Sequence, residues 1–549
     1  GLPYVAEQTL YNCAAVVNGG HIKGLVPKLN IPNYAEFYEV RHFTTGKNEV
    51  TYVNINGEEV PFGANILFKT DACEDFVLAV EICEDLWTAM PPSVNHALAG
   101  ATIIANISAS NEVIAKDEYR EMLVKSQSAK LYCGYIYSDA GYGESTTDLV
   151  FAGDNMIAEN GTILARSKRF NNECVYTELD LERLVGERKK SNTYNIVGSE
   201  KYVSVKLDMN IGDTKITRYV DKQPFVPSDD KKREKRSEEI LSIQSLGLKK
   251  RLDHTHAKTA VVGVSGGLDS TLALLVTVRA FDSLNLDRKN IIAVTMPCFG
   301  TTDRTYNNAV NFANSLGVTL KEVNIKAAVN QHFADIEHDP NVYDVTYENS
   351  QARERTQILM DVANKSGGLV IGTGDMSELA LGWATYNGDH MSMYGVNVSI
   401  PKTLVRHLVR YYADNCKDKE LSDTLLDILD TPVSPELLPP QEDGTIAQKT
   451  EDLVGPYELH DFYLYHMLRF GVQPKKLFRI AKIAFDGEYA PEVIYKWLRT
   501  FVWRFFAQQF KRSCLPDGPK VGSVAVSPRG DLRMPSDAAV QLWIKQLDD

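Results

Sequence analysis

The chain has 549 residues, of which 44% are apolar and 24% are charged, and this composition excludes disordered, collagen-like and small disulfide-stapled proteins. A chain of this length is expected to form about two to four domains with buried cores. Its 59 Lys and Arg residues against 72 Asp and Glu residues give a formal charge of −13. Such an acidic chain is not expected to bind nucleic acid in general, although local nucleotide sites remain open.

Cysteine spacing and hydropathy bear on the compartment. The eight cysteines are scattered and no two have CxxC spacing, so zinc ribbons and redox pairs are not expected. Scattered thiols are typical of a reducing cytoplasm, which is the predicted location. No apolar run approaches the roughly 20 residues that cross a bilayer, and no signal peptide is evident, so no membrane partner is predicted.

Residues 1–190 are predicted to form a strand-rich α/β layered domain. Two Asn-Gly pairs, Asn18-Gly19 and Asn160-Gly161, are hairpin signals between strand-like runs. A helix is predicted at Asp117–Leu131 from its apolar spacing. Strands are predicted at Thr9–Val17, His21–Val26, Phe76–Ile82, Ala101–Ile107, Tyr135–Tyr137, Asn155–Ala158 and Thr162–Arg166.

Residues 191–235 are predicted to connect this domain to the next one. They contain most of a basic run at residues 231–236, a pattern found in nuclear-import and nucleic-acid-binding segments. A solvated face on the helix that enters the next domain is the favoured interpretation, because the chain as a whole is acidic.

Residues 236–549 are predicted to form the second domain, in which strands and helices alternate from Thr259 onward. This order predicts a doubly wound parallel sheet with ligand sites at the carboxyl ends of its strands. Strands are predicted at Ala260–Val264, Ile291–Met296, Val318–Ile325 and Leu369–Gly372, and helices at Ser270–Phe281, Arg304–Leu316 and Gln351–Ala363. The remainder, from about residue 400, is predicted to be mostly helical.

A glycine-rich loop joins the first of these strands to its helix. Glycines let the backbone approach a ligand closely, the helix N-terminus favours an anion, and serine hydroxyls add donors. Asp269 could hold Mg²⁺ against a pyrophosphate. The candidate phosphate-binding residues are Gly263, Val264, Ser265, Gly266, Gly267, Leu268, Asp269 and Ser270.

The same loop allows other interpretations. It matches the G-x-S-x-G elbow of esterases, with Ser265 as nucleophile, but that elbow does not need the Asp269-Ser270 pair. A plain tight turn leaves the order Ser-Gly-Gly-x-Asp-Ser unexplained. A Walker A loop is excluded, because the ending Gly-Lys-Ser/Thr is absent. The segment resembles the PP-loop of ATP pyrophosphatases, enzymes that adenylate a substrate and release pyrophosphate.

Further motifs follow in the order found in NAD synthetases. They are Tyr347–Arg353, Gly372–Glu378, Leu381–Tyr386, Gly388-Asp389, Pro401-Lys402, Ser434–Leu437, Gly455–Tyr457 and Phe510–Arg512. By this resemblance the region is a Rossmann-like synthetase domain of the adenine nucleotide alpha hydrolase type. Thr373 and Glu378 lie at a predicted strand end, where Glu378 could share Mg²⁺ with Asp269.

The resemblance also implies which residues bind the substrates. Besides the loop, ATP is expected to contact Thr373, Lys402 and Ser434. Deamido-NAD is expected to contact Asn349, Arg355, Glu378, Trp383, Ala384, Thr385, Tyr386, Asp389 and Lys511. Among these residues, Trp383 and Tyr386 could contact a pyridine or adenine ring. Lys402 and Lys511 could neutralise phosphates as point charges.

A second active site is expected in the first domain, where Cys83 ends the buried run Phe76–Ile82. Cys83 and the segment around Lys28 resemble the nitrilase-type glutaminase domain of glutamine-dependent NAD synthetases, here a partial αββα sandwich. The resemblance makes Cys83 the nucleophile and Lys28 the cation that stabilises the oxyanion. Amide hydrolysis by a thiolate requires such a pair. Glutamine is expected to contact Tyr34, Ser110 and Lys116.

Two departures from that family matter. Its glutamine-binding arginine aligns on Lys116, which keeps the charge but loses bidentate recognition of a carboxylate. Its general-base glutamate belongs to a segment that would precede Gly1, so the resemblance implies an N-terminally incomplete glutaminase domain. Glu36, Glu39 and Glu84 lie too near the other motifs to align with that glutamate.

The implied reaction is the amidation of deamido-NAD to NAD. ATP is the co-substrate and is cleaved to AMP and pyrophosphate, and the nitrogen comes from glutamine or from free ammonia. Two alternatives stay open. Another PP-loop amidotransferase, such as a GMP or asparagine synthetase, would lack the Cys–Lys domain, and a non-catalytic nucleotide-binding or ammonia-gating subunit would require loss of Asp269 or Glu378. A homo-oligomer is expected.

Overall fold

The computed structural model describes residues 1–227, 230–432, 434, 437–439 and 450–548, with the backbone alone at 230 and 231. Pro435 and Glu436 of the Ser434–Leu437 motif therefore lie outside the described residues, as does the Lys231 side chain. The chain divides into two compact units, Gly1–Tyr219 and Val220–Asp549. Within the described ranges, none of the helices combines the length and the apolar character that crossing a membrane requires.

Two β-sheets form the first unit. The first sheet contains β1 (Leu2–Ala6), β2 (Thr9–Asn18), β3 (His21–Pro27), β4 (Thr51–Ile55) and β5 (Glu58–Phe62), in the order β1-β2-β3-β5-β4. The second contains β6 (Ile66–Thr70), β7 (Cys73–Ile82), β8 (Ile103–Ser108), β9 (Gly134–Asp139), β10 (Met156–Glu159), β11 (Thr162–Arg166) and β12 (Val203–Lys206). Its order is β11-β10-β9-β8-β7-β6-β12.

The sheets pack face to face, because apolar residues alternate along their strands and share one core. That core includes Ala14, Val26, Ile66, Phe68, Val80 and Ile82. The other face of the second sheet is covered by α1 (Pro92–Leu98) and α2 (Lys116–Leu131), and α3 (Leu181–Lys190) follows. Both predicted hairpins are confirmed. Asn160 and Gly161 have φ of +45° and +82°, as a type I′ turn requires.

The three central strands of the second sheet place the candidate glutaminase residues. β7, β8 and β9 run parallel, so their carboxyl ends lie at one edge of the sheet. Cys83 directly follows β7, Ser110 follows β8, and Asp139 ends β9. Residues of the candidate glutaminase site are thus brought together by the sheet topology and not by nearness in sequence.

The second unit contains one parallel sheet of β13 (Thr259–Gly263), β14 (Ile291–Thr295), β15 (Thr319–Glu322), β16 (Gly368–Gly372) and β17 (Tyr394–Gly395). Its order is β15-β14-β13-β16-β17. The chain proceeds outward from β13 to β15 and then crosses to β16, so the loops after β13 and β16 diverge at a topological switch point. Open α/β sheets bind ligands at such points.

Helices cover both faces of this sheet. They are α4 (Asp230–Thr255), α5 (Leu268–Ser283), α6 (Asp303–Ser315), α7 (Lys326–Asp335), α8 (Val345–Ser366), α9 (Met376–Leu381), α10 (Lys402–Asn415) and α11 (Lys419–Leu429). The C-terminal part has its own helical core. Its helices are α12 (Thr450–Val454), α13 (Tyr457–Phe470), α14 (Pro474–Ala484), α15 (Pro491–Ala507), α16 (Gln509–Arg512) and α17 (Gln541–Asp548). The predicted α/β fold class is confirmed.

Candidate active sites

The predicted phosphate loop lies between β13 and α5 and turns at a residue that must be glycine. Gly266 has φ of +83°, and a Cβ there would lie 2.2 Å from the backbone oxygen of Thr305. The loop is held from within, because Ser270 Oγ donates to the Gly267 oxygen at 3.0 Å and Ser265 Oγ accepts from the Gly267 N–H at 3.3 Å. These bonds leave the N-terminus of α5 open toward a ligand.

A second helix N-terminus, that of α9, follows β16 at the adjacent strand end. Asp375 is its N-cap and accepts from the Glu378 N–H at 2.8 Å. Capping by aspartate satisfies one of the free N–H groups of the first turn. The cap also holds the Glu378 side chain on the side of α9 that faces Asp269 and Lys402.

Lys402, the first residue of α10, lies among three carboxylates. Its Nζ is 2.5 Å from Asp269 Oδ2, 2.7 Å from Asp375 Oδ2 and 2.9 Å from Glu378 Oε1. Burial raises the pKa of Glu378 to about 7 and holds that of Asp375 well above its usual value, against the effect of Lys402. Burial alone would lower the pKa of Lys402, but the three carboxylates outweigh it and raise that pKa.

The same carboxylates fit a magnesium ion. Asp269, Asp375 and Glu378 offer oxygens that lie within 4.8 Å of one another. Asp269 Oδ1 is buried and has no hydrogen-bond partner among the described residues. An all-oxygen set with an unsatisfied carboxylate atom is the donor chemistry that Mg²⁺ prefers.

A cavity of about 470 Å³ opens beside this cluster in the second unit. It is lined by most of the predicted ATP and deamido-NAD residues: Gly263, Val264, Ser265, Gly267, Leu268, Asp269, Ser270, Asn349, Arg355, Thr373, Glu378, Trp383, Ala384, Thr385, Asp389, Lys402, Ser434 and Lys511. Gly266 and Tyr386 are not part of the lining. Tyr386 is 44% exposed and packs against the rings of His390 and Phe510.

The loop after α9 forms one wall of the cavity. Thr385 Oγ1 donates to Asn349 Oδ1 at 2.7 Å, and the Thr385 N–H donates to Asp389 Oδ1 at 2.7 Å. Lys511 Nζ donates to the oxygens of Gly382 at 2.9 Å and Ala384 at 2.7 Å. Lys511 therefore holds this loop in addition to bringing a positive charge to the cavity.

In the first unit, Cys83 has a strained backbone conformation. Its φ is +48°, a region that non-glycine residues rarely adopt and that concentrates at functional sites. Its N–H donates to Asn106 Oδ1 at 3.0 Å, which stabilises this turn at the end of β7. Burial raises the pKa of the Cys83 thiol, while the charge of Lys28 and hydrogen bonds from Ser108 and Ala109 oppose that rise.

Lys28 is 2% exposed, and its Nζ lies 2.5 Å from Glu39 Oε2. A buried ammonium needs a partner of this kind, since an unpaired charge is costly to bury. Glu39 also accepts from Asn12 Nδ2 at 2.6 Å. Lys28, the cation predicted for the oxyanion, is thus near enough to the Cys83 thiol to lower its pKa, and Glu39 orients the ammonium.

Each of the three predicted glutamine contacts is hydrogen-bonded to a polar side chain. Tyr34 is 54% exposed, and its hydroxyl donates to the Glu84 carboxylate at 3.0 Å. Lys116 Nζ donates to Asn111 Oδ1 at 2.6 Å, and its charge is near enough to interact with Cys83. The buried Ser110 donates its N–H to Asp139 Oδ1 at 2.9 Å.

Comparison with known proteins identifies the family. The NAD synthase family model matches residues 240–478. A glutamine-dependent NAD(+) synthetase of Mycobacterium tuberculosis (strain ATCC 25618 / H37Rv) is 41% identical over 582 aligned positions, which cover 100% of this chain and 85% of that relative. The chain belongs to the family of glutamine-dependent NAD(+) synthetases.

Two further matches are more distant. The glutamine-dependent NAD(+) synthetase of Aquifex aeolicus is 29% identical over 97% of this chain and 84% of its own length. A crystal structure of a glutamine-dependent NAD(+) synthetase from Cytophaga hutchinsonii aligns over 100% of this chain and 85% of that chain, at 20% identity and a TM-score of 0.48. Membership in the family makes the chain an NAD synthase ligase and confirms the predicted resemblance. The alternatives of another PP-loop amidotransferase and a non-catalytic subunit are not favoured.

Three residues of these sites were not anticipated as functional. Asp375 stands inside the quoted motif Gly372–Glu378, but the sequence does not tell a capping aspartate from one that also faces a buried lysine. Glu39 lies too near the other motifs to align with the general-base glutamate of the family, so its position in the sequence does not indicate a function. Asp139 gave no motif signal; in the structure its pKa is raised by burial to about 7.

Proposed function

We propose that the chain catalyses the ATP-dependent amidation of deamido-NAD to NAD, with release of AMP and pyrophosphate. The observation that carries this proposal is the cavity of the second unit. It joins a pyrophosphate-type loop, a buried lysine–carboxylate cluster and a polar loop with an aromatic residue in one continuous lining. An ATP phosphate chain and a dinucleotide are polyanions with flat rings, and this lining offers backbone N–H groups, cations and Trp383 to them.

The residues divide into two groups by chemistry. The N-terminus of α5, with Ser265 and Ser270, suits the phosphates of ATP, because free N–H groups and hydroxyls stabilise negative charge. Lys402 suits the charge that develops at the α-phosphate when the nicotinate carboxylate attacks it and pyrophosphate leaves. Arg355, Asn349 and Thr385 lie on the wall that the dinucleotide would contact.

Magnesium completes the proposed site. Asp269, Asp375 and Glu378 would hold it, and the ion would neutralise phosphate charge and assist departure of pyrophosphate. The predicted metal pair Asp269 and Glu378 is thus extended by Asp375. Lys402, which occupies the space between these carboxylates, would give up part of its ion pairing to the bound nucleotide.

The nitrogen is proposed to come from glutamine hydrolysed at Cys83, or from free ammonia. The thiolate attacks the side-chain amide of glutamine, and Lys28 stabilises the oxyanion of the tetrahedral intermediate. Glu39 pairs with Lys28 and orients it within the protein interior. Tyr34, Ser110 and Lys116 are the proposed contacts of the substrate. The cytoplasmic location and the homo-oligomeric state stay predictions.

The test separates the two half-reactions. The chain is incubated with deamido-NAD, ATP and Mg²⁺, with either ammonium or glutamine, and NAD, AMP and ADP are quantified. We expect NAD and AMP in equal amounts with ammonium, and Asp269→Asn to lower that rate by about 10²-fold or more. Formation of ADP, or full activity of the variant, would contradict the proposal.

The glutamine arm has its own matched control. Cys83→Ala is expected to remove glutamine-driven synthesis and to spare the ammonium reaction, since only the first reaction needs the nucleophile. Cys73→Ala changes a partly buried thiol at the opposite end of the same strand, β7. It is expected to change neither reaction. Equal losses in both cysteine variants would indicate damage to the fold instead of loss of a nucleophile.

A further inference from the structure

A cysteine and a histidine meet behind the wall of the synthetase cavity. His390 Nε2 lies 3.3 Å from Cys514 Sγ, and His390 Nδ1 lies 2.9 Å from the backbone oxygen of Thr385. His390 is 6% exposed, whereas Cys514 is partly exposed. Neither residue lines the cavity or belongs to the sites described above.

The contacts of the imidazole determine which nitrogen carries the proton. The Thr385 oxygen can only accept a hydrogen bond, so Nδ1 of the neutral ring must be the donor. Nε2 of that tautomer then has a free lone pair, and it lies 3.3 Å from the Cys514 sulfur, slightly nearer than the Lys511 backbone oxygen at 3.4 Å. A thiol next to a base that a third group orients is the general arrangement of an activated nucleophile.

We propose that Cys514 is a reactive thiol activated by His390, and that soft electrophiles such as haloacetamides modify it covalently. In the reaction with iodoacetamide, a bond forms between Sγ and the methylene carbon, and the carbon–iodine bond breaks. Iodide leaves with the bonding electron pair, and the thiol proton passes to Nε2 of His390. The imidazolium then releases this proton to solvent.

The modification reaches the nucleotide site through Thr385. A group on Sγ occupies the space of the Sγ–Nε2 contact, so the His390 ring must move and loses its bond to the Thr385 oxygen. Thr385 lines the cavity and is bonded to Asn349 and Asp389. This consequence rests on the proposed function: the modification should weaken deamido-NAD binding and leave the phosphate-binding loop at Asp269 unchanged.

The chain supplies a matched control thiol. Cys416 is also partly exposed and lies in the same unit, but its Sγ donates to a backbone oxygen, that of Asp418, at 2.9 Å. A carbonyl oxygen holds the proton on the thiol instead of removing it. Cys514 Sγ also lies 3.4 Å from a backbone oxygen, that of Lys511. The two partly exposed cysteines therefore differ in the imidazole that contacts Cys514 Sγ in addition to the carbonyl oxygen.

The first experiment measures labelling rates on the full chain with iodoacetamide near pH 7, resolved by peptide mass spectrometry. A free thiol is only a few per cent thiolate there, so we expect Cys514 to react at least about tenfold faster than Cys416. In His390→Asn the shorter amide can still donate to the Thr385 oxygen but offers no base to the thiol. Its Cys514 rate should fall to within about twofold of Cys416. Equal rates in the unaltered chain, or no effect of His390→Asn in a variant that unfolds like the unaltered chain, would overturn the proposal.

The second experiment tests the consequence in a Cys83→Ala background with ammonium as nitrogen source, so that labelling of the glutaminase site does not interfere. Labelled protein should show a KM for deamido-NAD raised by about fivefold or more, with the KM for ATP changed less than about twofold. Cys514→Ser should abolish this effect of the reagent. Unchanged KM values at full labelling would overturn the link to the nucleotide site. Absence of ammonium-driven synthesis in unlabelled protein would instead refute the proposed function, and the labelling rates would still decide whether Cys514 is activated.

Discussion

Removal of the Lys402 ammonium should have a large and pH-dependent effect on stability. Lys402 is 4% exposed and pairs with Asp269, Asp375 and Glu378. Lys402→Met keeps most of the aliphatic volume and removes the charge. Three carboxyl groups then share a buried site without a cation, and they must either repel one another or take up protons.

The magnitude follows from burial and from proton linkage. Breaking a buried ion pair by removing one partner costs about 3–5 kcal/mol, and we expect a loss in this range at pH 8. Burial already raises the pKa of Glu378 to about 7 in the presence of Lys402, so without it the carboxyls hold at least one further proton. A folded state that binds an extra proton loses stability as pH rises, by about 1.4 kcal/mol per pH unit. The deficit of the variant should therefore shrink from pH 8 to pH 6.

Urea unfolding followed by tryptophan fluorescence suits this measurement, because Trp383, Trp497, Trp503 and Trp543 all belong to the second unit. Lys222→Met is the matched control, since Lys222 pairs with Glu488 in the same unit but both side chains are more than 40% exposed. Exposed pairs contribute about 0–1 kcal/mol. A Lys402→Met deficit no larger than that of Lys222→Met, or one that grows toward pH 6, would refute the reasoning.

Two further predictions concern the loop and the helical core. Gly266→Ala places a Cβ 2.2 Å from the Thr305 oxygen at a φ of +83°. The ATP affinity measured by calorimetry should therefore fall at least about tenfold. Gly374→Ala is the control: a Cβ there has open space around it, so the ATP affinity should change little. Burial lowers the pKa of His460 to about 4, so the unfolded chain takes up a proton there first as pH falls from about 6.5. The free energy of unfolding should therefore fall by about 3 kcal/mol between pH 6.5 and pH 4. In urea unfolding, His460→Gln should remove this part of the pH dependence. A difference in unfolding free energy between the two proteins that does not change with pH would contradict the prediction.

Most elements of the fold could be predicted from local patterns in the sequence. The strand β13, the loop after it and α5 follow from an apolar run, a glycine cluster and an apolar helix, all of which are adjacent in sequence. The run Val318–Ile325 was predicted as one strand, but only Thr319–Glu322 pairs, at the edge of the sheet. Its last residues lie in the turn before α7, where Ile325 packs in the same core as Val329 of α7. An apolar run does not separate a strand from a buried turn. The two-residue strand β17 is too short to leave any periodicity.

The charged side chains of the sites were harder to place, because their roles depend on partners far away in sequence. Lys402 and Lys511 were both expected to face phosphates. In the structure Lys511 donates to two backbone oxygens of the loop after α9, which a C-terminal segment reaches only once the fold has formed. Glu39 likewise acquires its meaning from the buried Lys28. Motif order identified the two lysines but not Glu39, and the bonds of all three residues are set by tertiary packing.

The cluster around Lys402 is held in place by backbone hydrogen bonds as well as by its ion pairs. Asp461, 1% exposed on α13, accepts from the Thr403 N–H at 2.9 Å and from Thr403 Oγ1 at 2.7 Å, and it also accepts from the hydroxyl of Ser377. Ser377 Oγ in turn accepts from the Lys402 N–H at 2.8 Å. These bonds fix the first turns of α9 and α10 through groups that face away from the cavity. The positions of Glu378 and Lys402 are thus set by backbone anchors as well as by their mutual attraction. If the nucleotide of the proposed function draws the Lys402 ammonium away from the carboxylates, these anchors would keep both helices in place, and the carboxylates would be free for the proposed metal ion.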